Sequence, residues 1–181
     1  MPTRDSTGVP VQCERVGEGP ALRMLAGFMS EHSSWGRLVA RMGHRFTGSR
    51  PDNRTTGRTR PWEAPVSIDL MCKDALAVMD HLGFERYHTI GHSMGGIIAL
   101  HMAQVVPMRM ASTHVAASAP VRLARNTTLF ANLIAIRRSD APADTWLRAL
   151  YPWPFNPRVY DDPGAVDPAL ADSLAYPYGQ S

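Results

Sequence analysis

The chain has 181 residues, 44% of them hydrophobic, and a formal net charge of +3, enough apolar material for one domain with a real core. Its 18 arginines and single lysine (Lys73) are dispersed, with Arg137-Arg138 the only adjacent pair, which excludes a nucleic-acid stripe. Cys13 and Cys72 lie too far apart for a C-x-x-C site and read as reduced thiols of a cytoplasmic protein; the start has no apolar h-region and no run reaches spanning length, so neither a secretory signal nor a membrane span is expected.

Taken in order, residues 1–8 read as a frayed start. Residues 9–16 alternate well enough for a strand, and Gly17-Glu18-Gly19-Pro20 is a turn. Residues 21–26 are mostly apolar, as a strand covered on both faces should be, and they end at Gly27-Phe28. Ser33-Ser34 are placed to cap a helix over 35–42, whose Trp35, Leu38, Val39 and Met42 share one face. Phe46 begins a third strand that ends at Pro51-Asp52, and residues 53–65 form a polar loop. Ser67 then opens a helix with a stripe of Ile68, Met71, Ala75, Val78 or Met79 and Leu82, closed by Gly83. A β-branched and aromatic run over 87–90 leads into an apolar helix stopped by Pro107. Residues 111–117 are one more strand, ending at Ser118-Ala119-Pro120. Strands alternating with helices specify a mostly parallel sheet with right-handed crossovers and flanking helices. After Pro120 the pattern changes. Residues 121–150 are helical, with Leu129, Leu133 and Ile136 on one face, and 151–181 are proline-rich with no strand signal. The expected organisation is therefore a core over 1–120 and a partial cap or lid over 121–181.

The most informative stretch joins strand 87–90 to its helix. Gly91-His92-Ser93-Met94-Gly95 has the form G-x-S-x-G, the turn that lifts a serine hydroxyl above a sheet between strand and helix. Glycines at 91 and 95 let strand and helix close around a strained serine. Average usage gives the bare pattern about 0.06 times in such a length; the strand before and helix after make it specific. The plainer alternative is a glycine-rich turn with Ser93 as an N-cap.

Together with Gly27-Phe28 after a strand and Pro51-Asp52-Asn53-Arg54 with Gly57-Arg58 in the next loop, this elbow resembles the α/β-hydrolase superfamily, in its esterase, lipase and cofactor-free haloperoxidase-like branch. The resemblance covers roughly residues 9–120. It implies Ser93 as nucleophile, an acyl-enzyme, and an oxyanion hole from the main-chain N–H groups of Phe28 and Met94, with no cofactor and no metal. The Phe28 side chain is open to a second reading as a core aromatic. Three departures stand out. Ala26-Gly27 replaces the usual His-Gly, so a side chain that would brace the loop is missing. Thr55 stands where glycine is usual, and a β-branched residue suits φ > 0 poorly. The third is the absent base: the fold's order is Ser, then Asp or Glu, then His, yet only His101 and His114 follow Ser93. His101 reads as packed or at the surface and His114 as a satisfied core residue. The side chain of His92 is expected to project elsewhere, and His32, His44, His81 and His88 read as loop, surface or helix-end residues. Where some relatives carry the acid, this chain has Ser118-Ala119-Pro120. Asp140, Asp144, Asp161, Asp162, Asp167 and Asp172 read as solvated, and Trp146, Tyr151, Trp153 and Phe155 as the cap's own small core.

The expected fold is thus an incomplete α/β-hydrolase core, apparently truncated at the C-terminus, followed by the start of a helical cap. The expected function is hydrolysis of carboxylic esters or related acyl compounds. A cofactor-free haloperoxidase or perhydrolase would use the same residues, and a truncated or degraded member binding an apolar ligand or partner is the non-catalytic alternative. The expected partners are a small ester-like molecule and, through an unfinished sheet edge, a second copy of the chain; nucleic acid is not among them.

Overall fold

The computed structural model describes residues 8–42, 44–121, 123–162 and 164–176; the frayed start expected over 1–8 falls almost wholly outside them. The described residues form two compact units, one running through Pro120 and one from Val121.

The first unit is a five-stranded sheet with helices on both faces. Its strands are β1 (Cys13–Val16), β2 (Ala21–Leu25), β3 (Thr47–Pro51), β4 (Tyr87–His92) and β5 (Met110–Ala116). They lie in the order β1-β3-β2-β4-β5, with β1 antiparallel to β3 and every other pair parallel. β2 sits in the middle, and all five of its residues are buried, which is why it reads as a continuous apolar run. β5 is one edge of this sheet and is largely exposed. β1 is shorter than the strand expected over 9–16; Val9 and Val11 are buried ahead of it without strand pairing of their own.

Three helices cover the sheet: α1 (Gly36–Met42), α2 (Ile68–His81) and α3 (Met94–Val105). The predicted stripes are the ones buried. Met71, Cys72, Ala75 and Met79 of α2 pack with Ile98, Ala99 and Met102 of α3 against Ala21, Leu25 and Tyr87. Trp35, Leu38, Val39 and Met42 pack on the other face against Leu22, Met24 and Ile90. Ser67 caps α2 by accepting from the Leu70 N–H at 3.1 Å, and Gly83 follows its end at φ 73°. Ser33-Ser34 do not cap α1; they lie inside a 3-10 turn over His32–Trp35 that leads into it. Cys13 and Cys72 are both buried, with no disulfide between them.

The second unit holds α4 (Ala124–Arg137), α5 (Thr145–Leu150), a 3-10 turn at Pro157–Asp161 and α6 (Val166–Ala175), with no strand among its described residues. It buries Leu133, Leu147, Tyr151 and Leu170. Tyr151 belongs to this small core, with its hydroxyl donating to the Ala169 carbonyl at 3.1 Å, but Trp153 is half exposed and is not part of it. Among the described residues no helix is long and apolar enough to cross a membrane.

Candidate functional site at the carboxyl ends of the strands

Parallel pairing brings the ends of β2, β3 and β4 to the same edge of the sheet. Leu25 on β2 is level with Gly91 on β4, so two residues further on Gly27 is level with Ser93. The contact is direct: a Cβ built on Gly27 would lie 3.1 Å from Ser93 Cβ and 3.2 Å from His92 Nδ1.

Ser93 lies between β4 and α3 at φ 52°, ψ −120°. That conformation is costly for a residue with a side chain, of order 1–3 kcal/mol, and persists only where the surroundings impose it. Here they do. A Cβ on Gly91 would come 2.2 Å from the Gly95 carbonyl oxygen, and one on Gly95 would come 2.0 Å from the Leu25 carbonyl oxygen. The main chains of strand and helix are closer than any side chain allows. The Ser93 N–H is tied to the Ala116 carbonyl at 2.9 Å. Its hydroxyl does not cap α3, so the N-cap alternative has no support. Met94 is the first residue of α3, with its main-chain N–H at the positive end of the helix dipole.

On the opposite side of Ser93, Gly27-Phe28-Met29-Ser30 form a tight turn. The Ser30 N–H donates to the Gly27 carbonyl at 3.3 Å, and Met29 takes φ 59° at the third position, as in a type II turn. The Phe28 side chain is 45% exposed; the core-aromatic reading is wrong, because the turn projects it off the sheet edge. The turn is pinned at its start by Asn53, whose Nδ2 donates to the Ala26 carbonyl at 3.1 Å.

The loop after β3, expected to be polar, is polar and buried. Asp52, Asn53, Arg54, Thr56 and Thr59 are all below a tenth exposed. Arg54 makes a two-pronged bond to Asp74 of α2, at 2.7 and 2.9 Å, and donates to the Pro65 carbonyl. Asp52 accepts from the main-chain N–H groups of His32 and Arg58, both at 3.0 Å, from Arg58 Nε at 2.9 Å, and meets His32 Nδ1 at 2.6 Å. Burial pushes its carboxyl up, but these donors win and hold it below the usual carboxylate range. Gly57, at φ 55°, lets the loop wrap this carboxylate; a Cβ there would lie 2.7 Å from Asp52 Cγ. Thr55 does sit at positive φ, 62°.

Sequence reasoning assigned His32 to the surface, and that is corrected. Its ring is held between Asp52, Glu31 and Glu14, the last at 3.3 Å from Nε2. The only local sign of this network is Asp52 with a glycine five residues on; its partners come from β1, the turn after β2 and the loop after β3. Donor atoms of Glu31, His32 and Asp52 lie within 4.8 Å of one another. Both Asp52 oxygens are nevertheless taken by N–H donors, and Arg50 and Arg58 share the cluster, a donor set that fits a balanced ion network better than a bound cation.

No hydrogen bond joins the Ser93 hydroxyl to a histidine among the described residues. His101 pairs with Asp69 at 2.8 Å, half exposed as expected. His114 is exposed on β5, 3.4 Å from Ser112 Oγ; the core role expected for it is wrong, because β5 is an edge strand. His88 bonds Ser112 Oγ at 2.8 Å. His92, far from pointing away, lies beside Gly27. At the end of β5, Ala117 takes φ 49° and the Ser118 hydroxyl is buried over Gly96.

Residues 20–167 match the family described as alpha/beta hydrolase fold. The chain belongs to that family. Curated relatives include a fluoroacetate dehalogenase of a Burkholderia species, 35% identical over 104 residues, covering 55% of this chain and 34% of the relative. A lipase of Mycobacterium tuberculosis is 32% identical over 108 residues, covering 58% and 40%. Among solved structures, a hydrolase from Pseudomonas aeruginosa superposes with a TM-score of 0.80 at 20% identity, covering 95% of this chain and 65% of that one. A thermophilic esterase from Thermogutta terrifontis gives 0.79 at 18%, covering 98% and 66%. These two likenesses establish the fold. The chain spans about a third to two fifths of the length of the curated relatives it matches.

Proposed function

We propose that this chain carries the nucleophile and oxyanion hole of a serine hydrolase acting on carboxylic esters or related acyl compounds. The observation that carries the reading is Ser93 in a strained elbow with main chain packed against it on both sides. Ser93 Oγ attacks the acyl carbonyl and the carbonyl oxygen becomes an anion. The main-chain N–H groups of Phe28, on the turn beside Ser93, and of Met94, at the start of α3, accept that charge. The alcohol leaves, and water releases the acid from the acyl-enzyme. Each such donor is worth on the order of 10²–10³ in rate.

Attack also needs a base, and no histidine is bonded to Ser93 among the described residues. The chain by itself is therefore expected to turn over p-nitrophenyl esters poorly, at roughly the 10³–10⁴ over water that an oxyanion hole alone supplies. Fluorophosphonate modification tests the reading. Ser93 should be modified well above the rate of an ordinary serine, and a Ser93→Ala variant should not. Background labelling of the wild type would replace this reading with a non-catalytic one, in which the cleft binds an apolar ligand or partner.

A further inference from the structure

We propose that His32, as an imidazolium, is the positioning residue that clamps the Phe28 turn against the Ser93 elbow, so that protonation of one ring tunes the oxyanion site. The inference rests on the reading that the Phe28 N–H is an oxyanion donor.

Both nitrogens of the ring face carboxylate oxygens: Nδ1 meets Asp52 and Glu31, and Nε2 meets Glu14. Neutral imidazole has a single N–H and would turn a lone pair toward one of them; the imidazolium alone donates from both sides. The charges agree. Every ionisable group in the cluster is accounted for: Glu14 on β1, Glu31 beside His32, Asp52 at the end of β3, Arg50 on β3 and Arg58 on the loop after it. Three carboxylates face two guanidinium groups, and a charged His32 supplies the missing positive charge. Burial makes that balance matter, since Asp52 is fully buried and Glu31 nearly so.

What the ring holds is the turn itself. Met29 at φ 59° is a residue with a side chain in a region that favours glycine, and such strain lasts only where both ends of the segment are fixed. Asn53 fixes the entry through the Ala26 carbonyl. His32 fixes the exit three ways: its main-chain N–H and its ring both reach Asp52 Oδ1, and its carbonyl accepts from Arg50 at 3.4 Å. The brace absent at Ala26 is thus supplied from six residues further along the chain. As pH rises and His32 loses its proton, one ring nitrogen faces a carboxylate without a hydrogen between them. The exit anchor weakens and the turn loosens.

The test follows two quantities across the histidine range, roughly pH 5 to 9. One is amide exchange of residues 27–32, corrected for the intrinsic effect of pH; the other is the rate of Ser93 modification by a fluorophosphonate. Both are measured on the full chain, on His32→Gln, which keeps a neutral donor but cannot be charged, and on Glu14→Gln, which removes an exposed carboxylate. At low pH the wild type should be protected and label on the order of tenfold faster than His32→Gln, part of the effect of a lost oxyanion donor. Both differences should vanish as pH rises, and in Glu14→Gln the transition should move to lower pH. Equal protection in wild type and His32→Gln at every pH, or an unmoved transition in Glu14→Gln, overturns the clamp. Should Ser93 label in none of the proteins while exchange behaves as expected, the hydrolase reading fails and the clamp stands. Should Ser93 label with a ratio indifferent to pH, the hydrolase reading stands and the clamp fails.

Discussion

The two loops on either side of β2 are held by different physics. The elbow after β4 is held by shape: bare glycines at 91 and 95 let main chain approach main chain, and the constraint on Ser93 needs no charge. The loop after β3 is held by charge, through Arg54 on Asp74, Arg58 on Asp52 and His32 among its carboxylates, nearly all of it buried. A shape-held site is indifferent to pH and salt and fails when volume is added. A charge-held one tolerates small changes of volume and fails when one partner is removed. The molecule places the nucleophile on the first and braces the adjoining turn with the second.

The largest effect expected from breaking this contrast is at Arg54. Arg54→Ala leaves Asp74 ionised in the interior with neither prong of its partner, and should lower the unfolding free energy in urea by roughly 3–5 kcal/mol. Replacing both members, with Arg54→Met and Asp74→Leu, should recover most of that loss, because the stranded charge is then gone. A single variant costing under about 1 kcal/mol would mean the loop is not charge-held.

On the shape-held side, Gly95→Ala should cost about 3 kcal/mol, at the upper end for overpacking, since its Cβ would meet the Leu25 and Ala26 carbonyls. Main chain cannot yield there as a side-chain end would. Gly36→Ala is the control: it opens α1 with nothing within 4 Å of the added carbon, and should be neutral or stabilising by up to about 1 kcal/mol. The loss at Gly95 should be the same at high and low salt.

Acid separates the loops further. The Asp52 carboxyl is held below its usual range in the folded chain. Its contribution is therefore present above the unfolded value of about 3.9 and is lost as pH falls through the lower folded one. The difference in stability between wild type and Asp52→Asn should be full near neutrality and shrink below about pH 4. A difference that grew in acid would reverse the assignment.

The same contrast explains what could be read in advance. Strand order, the α2 stripe from Met71 to Leu82 and the Ser93 elbow all follow from spacings of five residues or fewer, which periodicity and motif reasoning resolve. The charge network joins Glu14, His32, Asp52 and Arg58 across separations of up to 44 residues, and no local spacing announces it. His32 beside a serine pair looks like a surface turn until β3 brings Asp52 to it. Phe28 misled in the opposite sense, since an aromatic after an apolar strand belongs in a core unless a turn lifts it out, and Met29 at positive φ does that. His114 misled because the face of a strand says nothing about whether the strand lies at an edge.

The smallest prediction concerns Thr55, where sequence and structure agree that something is paid for. A residue with a side chain in the left-handed region sacrifices about 1–2 kcal/mol, and Thr55 sits there at φ 62° on the loop that Arg54 and Asp52 hold. The conformation survives because its neighbours are fixed: Asp52, Arg54 and Thr56 are buried, and the Thr56 N–H donates to the Asn53 carbonyl at 3.0 Å. Thr55→Gly would relieve the strain but free the unfolded chain, which costs roughly 0.5–1 kcal/mol. The difference is a net gain of up to about 1 kcal/mol, read as a small rise in the urea midpoint with unchanged slope. If Thr55→Gly instead destabilises by more than about 1 kcal/mol, the threonine side chain is itself part of what holds the loop, and charge is not its whole support.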